Sequence, residues 1–221
     1  MGCHDNPSHS PAGQERNSFA PRGLVIEEKF MRKIIYGVGT SLDGYIARLD
    51  GSLDFLHLRA SNYSMGPFFK TIDVGLMGRK TYEAGVRMAG GKFESYGLRC
   101  YIFSRSLPEG ERGGAIFVRQ EPKRFVEELR KKKGKDIWLA GGGELAREFL
   151  KEDLVDELYL GIVPVLIGEG IPLFAAGFPQ REFTLTESKT YSGGLIALKY
   201  ERVRAKVAVE ANSTSKSKSK R

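Results

Sequence analysis

The chain has 221 residues, of which 41% are hydrophobic, and this length and apolar content suit a single core. No apolar run reaches the roughly 20 residues that a membrane-spanning helix needs, and residues 1–30 lack a continuous apolar signal region. We therefore expect a cytoplasmic protein without a membrane partner. The two cysteines, Cys3 and Cys100, provide neither a disulfide framework nor a set of metal ligands, so no metal is expected.

The net charge of +8 is unevenly distributed along the chain. Residues 212–221 contain four basic and no acidic residues, and residues 1–30 carry one more acid than base, which leaves +5 on residues 31–211. This moderate excess suits a phosphorylated small molecule better than a duplex, so nucleic acid is not the expected partner.

The ends of the chain differ in composition from its centre. Residues 1–30 are rich in Pro, Ser, Asn and Gly, and residues 205–221 form a basic tail that ends in alternating Ser and Lys. Such segments bury too little apolar surface to become ordered, so both are predicted to be disordered around a domain at residues 31–204. The abrupt change at Met31 also makes this residue a candidate for the natural start of the protein.

Strands and helices are predicted to alternate over most of the domain. The run at 33–40 is β-branched and apolar, with too little polar interruption for an exposed strand, and therefore predicts a buried one. Short apolar runs predict further strands at 73–78, 100–104, 115–118 and 136–140. Helices are predicted from Pro122 to Gly134 and from Glu144 to Leu150, because apolar residues recur there at helical spacing.

The last third of the domain predicts strands that are joined without clear helices. These strands are expected at 154–167, 182–190 and 194–203, and Ser192-Gly193-Gly194 is typical of a hairpin turn. Parallel neighbours require crossover helices, which the first two thirds provide. The predicted fold class is therefore α/β, with a mainly parallel central sheet flanked by helices and an antiparallel C-terminal edge hairpin.

Two segments that follow strands have the composition of anion-binding helix starts. In Gly78-Arg79-Lys80-Thr81, free backbone N–H groups and the helix dipole favour an anion, and two cations and a hydroxyl add to that preference. In Gly141-Gly142-Gly143, the glycines would let the main chain approach a pyrophosphate. An ordinary helix start or a structural turn explains either segment alone about as well.

A third strand end strengthens the prediction of a phosphate site. Ser104-Arg105 follows a predicted strand and places a hydroxyl and a guanidinium at the carboxyl edge of the sheet, where open α/β sheets bind ligands. An arginine fork suits a phosphate monoester such as the 2′-phosphate of NADPH. Together the three strand ends predict a phosphorylated cofactor, because a structural explanation would have to hold for all of them.

An ordered set of motifs resembles the dihydrofolate-reductase-like family, and within it the RibD C-terminal domain branch. The motifs are Thr40 to Ala47 (TSLDGYIA), Gly78 to Tyr82 (GRKTY), Ser104-Arg105, Gly141 to Leu145 (GGGEL) and Gly168 to Phe174 (GEGIPLF). The resemblance covers residues 31–202 and implies a dihydrofolate-reductase-like fold and an NADPH-dependent reductase, similar to the enzymes that reduce a ribosylamino-pyrimidine in riboflavin synthesis. It also permits a homodimer through the strand region 155–164. The chain lacks the deaminase signature of bifunctional relatives, so a stand-alone reductase is expected.

The resemblance also implies roles for individual residues. The cofactor would be bound by Val38, Ile46, Gly78, Arg79, Lys80, Thr81, Ser104, Arg105, Gly141, Gly142, Gly143, Glu144 and Leu145. Among these, the segment from Gly78 and the pair Ser104-Arg105 would hold the adenosine-phosphate half of NADPH. The substrate would be contacted by Asp43, Tyr45, Asp54 and Phe55, with Gly37 near the nicotinamide and the loop 166–174 at the substrate or dimer edge.

The chain departs from dihydrofolate reductases, which carry a carboxylate on their first helix to hydrogen-bond the pterin. Phe55 occupies the position of their Trp, and residues 55–72 contain no Asp or Glu, which argues against folate as substrate. Asp54 or His57 could supply a proton instead, although a loop cap and an exposed or packed side chain explain them equally simply. Hydride transfer itself requires only that cofactor and substrate be aligned and water excluded.

Three alternatives to the riboflavin-type reductase stay open at this point. One is dihydrofolate reductase, which dihydrofolate-dependent oxidation of NADPH would identify. The others are a nucleotide-binding module without catalysis and a nucleic-acid-binding protein that uses the basic tail at 212–221, whose affinity would fall steeply with salt.

Overall fold

The computed structural model describes residues 31–56 and 62–204. Its strands are β1 (Ile34–Ser41), β2 (Tyr45–Ala47), β3 (Ile72–Gly78), β4 (Arg99–Phe103), β5 (Gly110–Arg112), β6 (Ala115–Val118), β7 (Asp136–Gly141), β8 (Glu157–Val163), β9 (Ile171–Pro172), β10 (Phe183–Thr190) and β11 (Ile196–Arg202). Its helices are α1 (Gly66–Phe69), α2 (Arg79–Met88), α3 (Pro122–Arg130) and α4 (Gly143–Lys151). The segments 1–30 and 205–221, for which disorder is predicted, and the residue His57 lie outside the described residues.

One large sheet organises the described part of the chain, with its strands in the order β10-β11-β8-β1-β7-β3-β4-β6-β5. The neighbours from β8 to β6 are parallel, whereas β11 is antiparallel to β8 and β10 is antiparallel to β11. This arrangement confirms the predicted α/β class and its C-terminal antiparallel hairpin. The short strand β5 adds a second antiparallel edge, which its exposed and polar sequence did not indicate.

Helices cover both faces of the sheet. Phe125, Val126 and Leu129 of α3 and Phe149 and Leu150 of α4 are buried against one face, each burial contributing about 1.5–3 kcal/mol for a large apolar side chain. The predicted helix to Gly134 ends early, at Arg130, because the following lysines offer no apolar group to bury. On the other face, α1 and α2 contribute the aromatic side chains Phe68, Phe69 and Tyr82 to a second core.

The C-terminal hairpin follows the sequence prediction closely. Gly193 and Gly194 turn the chain with φ of 75° and 83°, a conformation that side chains other than glycine rarely adopt. The strand expected at 154–167 is shorter than predicted, because Pro164 removes a backbone donor directly after β8. Since β8 lies between β1 and β11, a homodimer at this strand would have to use its face and not its edge.

A small ribbon outside the main sheet positions one side of the candidate site. Strands β2 and β9 pair antiparallel, with Tyr45 opposite Pro172 and Ala47 opposite Ile171. Gly170 must be small there, because a Cβ on it would lie 2.4 Å from the carbonyl oxygen of Ala47. Among the described helices, none has the length and apolar character to cross a bilayer.

Candidate functional site

The starts of helices α2 and α4 lie side by side at the carboxyl edge of the sheet. They follow the parallel neighbours β3 and β7, and their N-caps Gly78 and Gly142 have extended backbone without a side-chain cap hydrogen bond. A Cβ on Gly78 would lie 4.0 Å from the backbone nitrogen of Gly142, and one on Gly142 would lie 3.2 Å from Thr81 Oγ1. Two sets of free N–H groups and two helix dipoles therefore favour an anion at the same place.

The three glycines around the start of α4 are explained by different structural constraints. Gly141 has a φ of 100°, which favours glycine on backbone grounds, and it is joined to Gly142 by a cis peptide bond. A Cβ on Gly143 would lie 3.1 Å from the carbonyl oxygen of Pro172, so a side chain there would press on β9. Gly142 adjoins Thr81 and the free start of α2, and this glycine lines the open space between the two helices.

The cations around these helix starts differ in their availability. Arg79 pairs with Glu83, its Nη1 lying 2.7 Å from the carboxylate. Lys80 and Arg105 are exposed and have no ion-pair partner among the described residues. The hydroxyl of the buried Ser104 accepts a hydrogen bond from the backbone N–H of Leu107 at 3.0 Å, which shapes the turn that carries Arg105. Two charges thus stand available to a phosphate group.

A long cleft of about 1540 Å³ follows the carboxyl edge of the sheet. All the predicted cofactor residues except Gly141 line this cleft. Pockets for a single small molecule commonly measure about 300–1,000 Å³. The cleft therefore has room for a dinucleotide and a second small molecule beside it.

The second half of the cleft carries aromatic side chains, and of its residues only Gly37 was predicted from the sequence to lie at the site. We call it the aromatic half; it is lined by Gly37, Gly39, Leu56, Tyr63, Met65, Trp138, Tyr159, Gly161 and Leu195. Trp138 Nε1 donates a hydrogen bond to the carbonyl oxygen of Gly37 at 2.7 Å, which fixes the indole. The available signal was the presence of two large aromatic residues, Trp138 and Tyr159, within predicted strands. The structure leaves both side chains partly exposed.

Asp43, a predicted substrate residue, is engaged in joining two loops. Its carboxylate accepts hydrogen bonds from Ser41 Oγ at 2.5 Å and from the backbone N–H groups of Ile167 and Gly168 at 3.1 and 2.8 Å. These hydrogen bonds, that of Ser41 first, hold the pKa of Asp43 below its usual range. Asp43 does not line the cleft, and its contact with a substrate stays a prediction.

Asp54 also has a partner, the guanidinium of Arg48. Arg48 donates to it from Nε and Nη2 at 2.6 and 2.9 Å, and this pairing lowers the pKa of Asp54. The carboxylate is held in its ionised form by this pairing, and the catalytic role expected for Asp54 stays a prediction. Asp54 lines a smaller cavity of about 470 Å³, together with Ala84 and Arg87 of α2.

The remaining predicted substrate residues lie beside the cleft. Tyr45 belongs to the β2–β9 ribbon, and its carbonyl oxygen accepts a hydrogen bond from Thr40 Oγ1 at 3.1 Å. Phe55 lies in a 3₁₀ turn. Its neighbour Leu56 lines the cleft and covers Gly39, since a Cβ on that glycine would lie 3.1 Å from Leu56 Cδ2. Across 31–56 and 62–204, His, Cys, Asp and Glu form no group suited to a metal ion.

Comparison with known proteins gives a consistent result. A family model described as the RibD C-terminal domain matches residues 32–197. The uncharacterized protein YwjB of Bacillus subtilis (strain 168) is 35% identical over 173 residues, which are 77% of this chain and 98% of that protein. The crystal structure of a putative riboflavin biosynthesis protein from Shewanella sp. PV-4 is 29% identical with a TM-score of 0.69, covering 79% of this chain and 100% of that one. Dihydrofolate reductase from Enterococcus faecalis, complexed with NADP(H), shares the fold at 18% identity and a TM-score of 0.55, over 78% of this chain and 98% of its own.

Proposed function

The chain belongs to the RibD C-terminal domain family, as the order of its motifs predicted, and from this membership we propose that it is an NADPH-dependent reductase. The substrate is a small heterocyclic or carbonyl compound, and a 5-amino-6-(5-phosphoribosylamino)uracil-like intermediate is the first candidate. The name of the Shewanella relative, a putative riboflavin biosynthesis protein, supports this choice of candidate.

The observation that carries the proposal is the pair of uncapped helix starts. The backbone N–H groups after Gly78 and after Gly142 would hold the phosphates of the cofactor, and the absence of a Cβ at Gly142 leaves the approach open. Lys80 and Arg105 would add the charge that a further phosphate needs. These residues fit a phosphorylated dinucleotide, because each offers donors or positive charge without a competing partner on the described chain.

In the proposed reaction, the protein aligns the two bound molecules and excludes water from them. A bound nicotinamide supplies the hydride, which is the cofactor's chemistry. Val38 and Ile46 line the cleft, and their apolar side chains would exclude water from the bound nicotinamide. The substrate is held in the aromatic half, and correct alignment of two bound molecules supplies most of the acceleration.

The single tryptophan of the chain, Trp138, gives a direct test. Because its indole lines the cleft, titration with NADPH is expected to quench its fluorescence in a saturable way at micromolar concentration. Oxidation of NADPH would then be followed at 340 nm with 5-amino-6-ribosylaminouracil phosphate, dihydrofolate and simple carbonyl compounds. The proposal fails if neither NADPH nor NADH binds, whereas binding without turnover of any compound would favour a nucleotide-binding module.

A further inference from the structure

The side chain of Asp43 joins two loops at the carboxyl edge of the sheet. The first loop, 42–44, leads from β1 to β2, and the second, 164–170, leads from β8 to β9. One carboxylate oxygen of Asp43 accepts hydrogen bonds from the backbone N–H groups of Ile167 and Gly168, and the other accepts one from Ser41 Oγ. Hydrogen bonds to a charged acceptor are about twice as strong as neutral ones. The carboxylate is therefore a strong tether between the loops.

The tether acts on a part of the second loop that has little else to hold it. Backbone hydrogen bonds of 2.8 Å lie on either side of Asp43, one donated by Leu42 and one accepted by Gly44. Between them the loop has little apolar packing, since Leu166 is 69% exposed and Gly168 is exposed too. Exposed loops with few apolar contacts open at a low cost in free energy. The hydrogen bonds to Asp43 therefore fix a part of the loop that would otherwise open easily.

Close packing connects the tethered loop to strand β2. A Cβ on Gly170 would lie 2.4 Å from the carbonyl oxygen of Ala47 and 3.2 Å from the Cβ of Tyr45. The same Cβ would lie 3.2 Å from Cδ1 of Ile167, whose N–H group Asp43 accepts. Groups packed this closely transmit a displacement instead of absorbing it. A change in the position of the loop is thus passed on to β2.

The loop leads into the β2–β9 ribbon, which forms part of the cleft. Ile46 of β2 and Ile171 of β9 both line the cleft. Cγ2 of Ile171 and the carbonyl oxygen of Pro172 lie 3.7 and 3.1 Å from a Cβ built on Gly143, the first residue of α4. The ribbon therefore rests on a helix start that is proposed to bind the cofactor phosphates. A shift of the ribbon would move two apolar side chains relative to the bound cofactor.

We propose that Asp43 is a positioning residue for hydride transfer. Through the backbone of Ile167 and Gly168 it fixes the β2–β9 ribbon, and the ribbon holds Ile46 and Ile171 against the nicotinamide, so that water is excluded and the ring keeps one orientation. Asp43 does not line the cleft, and this role requires no contact with cofactor or substrate. The inference rests on the proposed reductase function.

The reduced nicotinamide is itself fluorescent, so the experiment on the full chain needs no substrate. The fluorescence lifetime of NADPH lengthens when a protein holds the ring and excludes water from it. In Asp43→Ala we expect the lifetime of bound NADPH to shorten toward that of the free cofactor. NADPH affinity should fall about threefold to tenfold, because binding must then also order the ribbon. Affinity for adenosine 2′,5′-bisphosphate, which lacks the nicotinamide, should change by less than about twofold.

Two further variants separate the tether from general stability. Asp43→Asn keeps the size of the side chain and one acceptor oxygen, so its lifetime and affinity should lie between those of wild type and Asp43→Ala. Asp73→Asn is the matched control, because Asp73 also accepts a backbone N–H hydrogen bond, from Lys135 at 3.0 Å, and pairs with Arg32. Asp73 lies at the end of β3 opposite the cleft. Its substitution should lower the melting temperature and leave the NADPH lifetime unchanged.

The positioning role is overturned if wild type binds NADPH and both Asp43 variants leave its lifetime and affinity unchanged. It is also overturned if adenosine 2′,5′-bisphosphate is weakened as much as NADPH, or if Asp73→Asn shortens the lifetime as Asp43→Ala does. If wild type binds neither NADPH nor NADH, the reductase proposal itself fails, and the positioning role fails with it.

Discussion

At the scale of single residues, we expect the charge of Arg105 to distinguish NADPH from NADH. Arg105 follows β4, and the hydrogen bond from Leu107 N–H to Ser104 Oγ defines the turn that presents it. NADPH and NADH differ by one phosphate, which a guanidinium binds with paired hydrogen bonds. Substitution of a residue that binds this phosphate should weaken the binding of NADPH and leave the binding of NADH unchanged.

We therefore expect Arg105→Ala to weaken NADPH binding about tenfold to a hundredfold, because a hydrogen bond to a charged group is worth about 1.5–3 kcal/mol. NADH affinity should change little, so that the preference between the cofactors disappears. Fluorescence titration of Trp138 measures both constants. Arg124→Ala removes the same charge from the exposed surface of α3, where Arg124 pairs with Glu128, and serves as the control. An equal loss for both cofactors would place Arg105 elsewhere than at the 2′-phosphate.

Some residues of the candidate site could be predicted from the sequence, and others could not. The segments at Gly78 and Gly142 were found because glycine and cations at a strand end are local signals. The pairing of Asp54 with Arg48 could not be predicted, because it becomes visible only when the loop is folded. Phe55 and Leu56 differ by one position in a 3₁₀ turn, and no periodicity exists over three residues to decide which of them faces the cleft.

At the scale of secondary-structure elements, a buried carboxylate joins three strands at the end of the sheet opposite the cleft. Glu157 of β8 lies 2.6 Å from Lys33 Nζ, directly before β1, and 2.9 Å from Lys199 Nζ of β11, and its side chain is only 5% exposed. Burial alone would raise the pKa of Glu157, but hydrogen bonds from the two lysines outweigh it and hold the pKa below the ordinary 4.5. The carboxylate therefore stabilises the fold when it is ionised.

We expect Glu157→Gln to lower the free energy of unfolding by about 2 kcal/mol at neutral pH, because the charged hydrogen bond from Lys33 and the ion pair with Lys199 both lose the acceptor charge. Since the folded pKa is depressed, the contribution of Glu157 is complete above about pH 4.5 and disappears as the pH falls through the lowered value. Urea denaturation of wild type and variant between pH 7 and pH 3 measures this convergence. Glu201→Gln, which removes a more exposed partner of the same Lys33, should cost less than about 1 kcal/mol. Equal losses from the two variants would contradict the role given to burial.

The elements themselves were predictable to very different degrees. β1, β3, β4 and β7 are largely apolar because both of their faces are mostly covered, and such runs are visible in the sequence. Strands β2, β5 and β9 have two or three residues each and exist because a distant segment pairs with them. Their sequences contain no pattern that could have announced a partner.

At the scale of the whole molecule, binding of the cofactor should stabilise the fold. A ligand that binds only the folded protein adds about 2.7 kcal/mol at a hundred times its Kd, which raises the melting temperature by roughly 5 to 11 °C for a domain of this size. Differential scanning calorimetry of the full chain with NADPH and with NADH at equal concentration measures the two shifts. NADPH is expected to give the larger one. A melting temperature that neither nucleotide changes would contradict the assignment of the cleft.

The mainly parallel sheet was predictable as a whole because alternating strands and helices leave few topologies. The aromatic half of the cleft was not, since it is assembled from segments far apart in the chain. Tyr63, Trp138 and Leu195 come together only through the strand order and the hairpin turn, and nothing local connects them. The end of the cleft predicted to bind the cofactor, in contrast, is built from strand ends that each have a local sequence signal.

Asp156 lies where the two ends of the described domain meet. Its carboxylate accepts a hydrogen bond from the backbone N–H of Ile34 at 2.7 Å, and its carbonyl oxygen accepts one from that of Arg202 at 2.8 Å. Both ends of the fold therefore emerge at the edge of the sheet away from the cleft. A circular permutant that links residue 204 to residue 31 and opens within the exposed turn at Gly113 would retain every strand pairing of the cleft. We therefore expect the cleft to form whether or not its strands are synthesised in their present order.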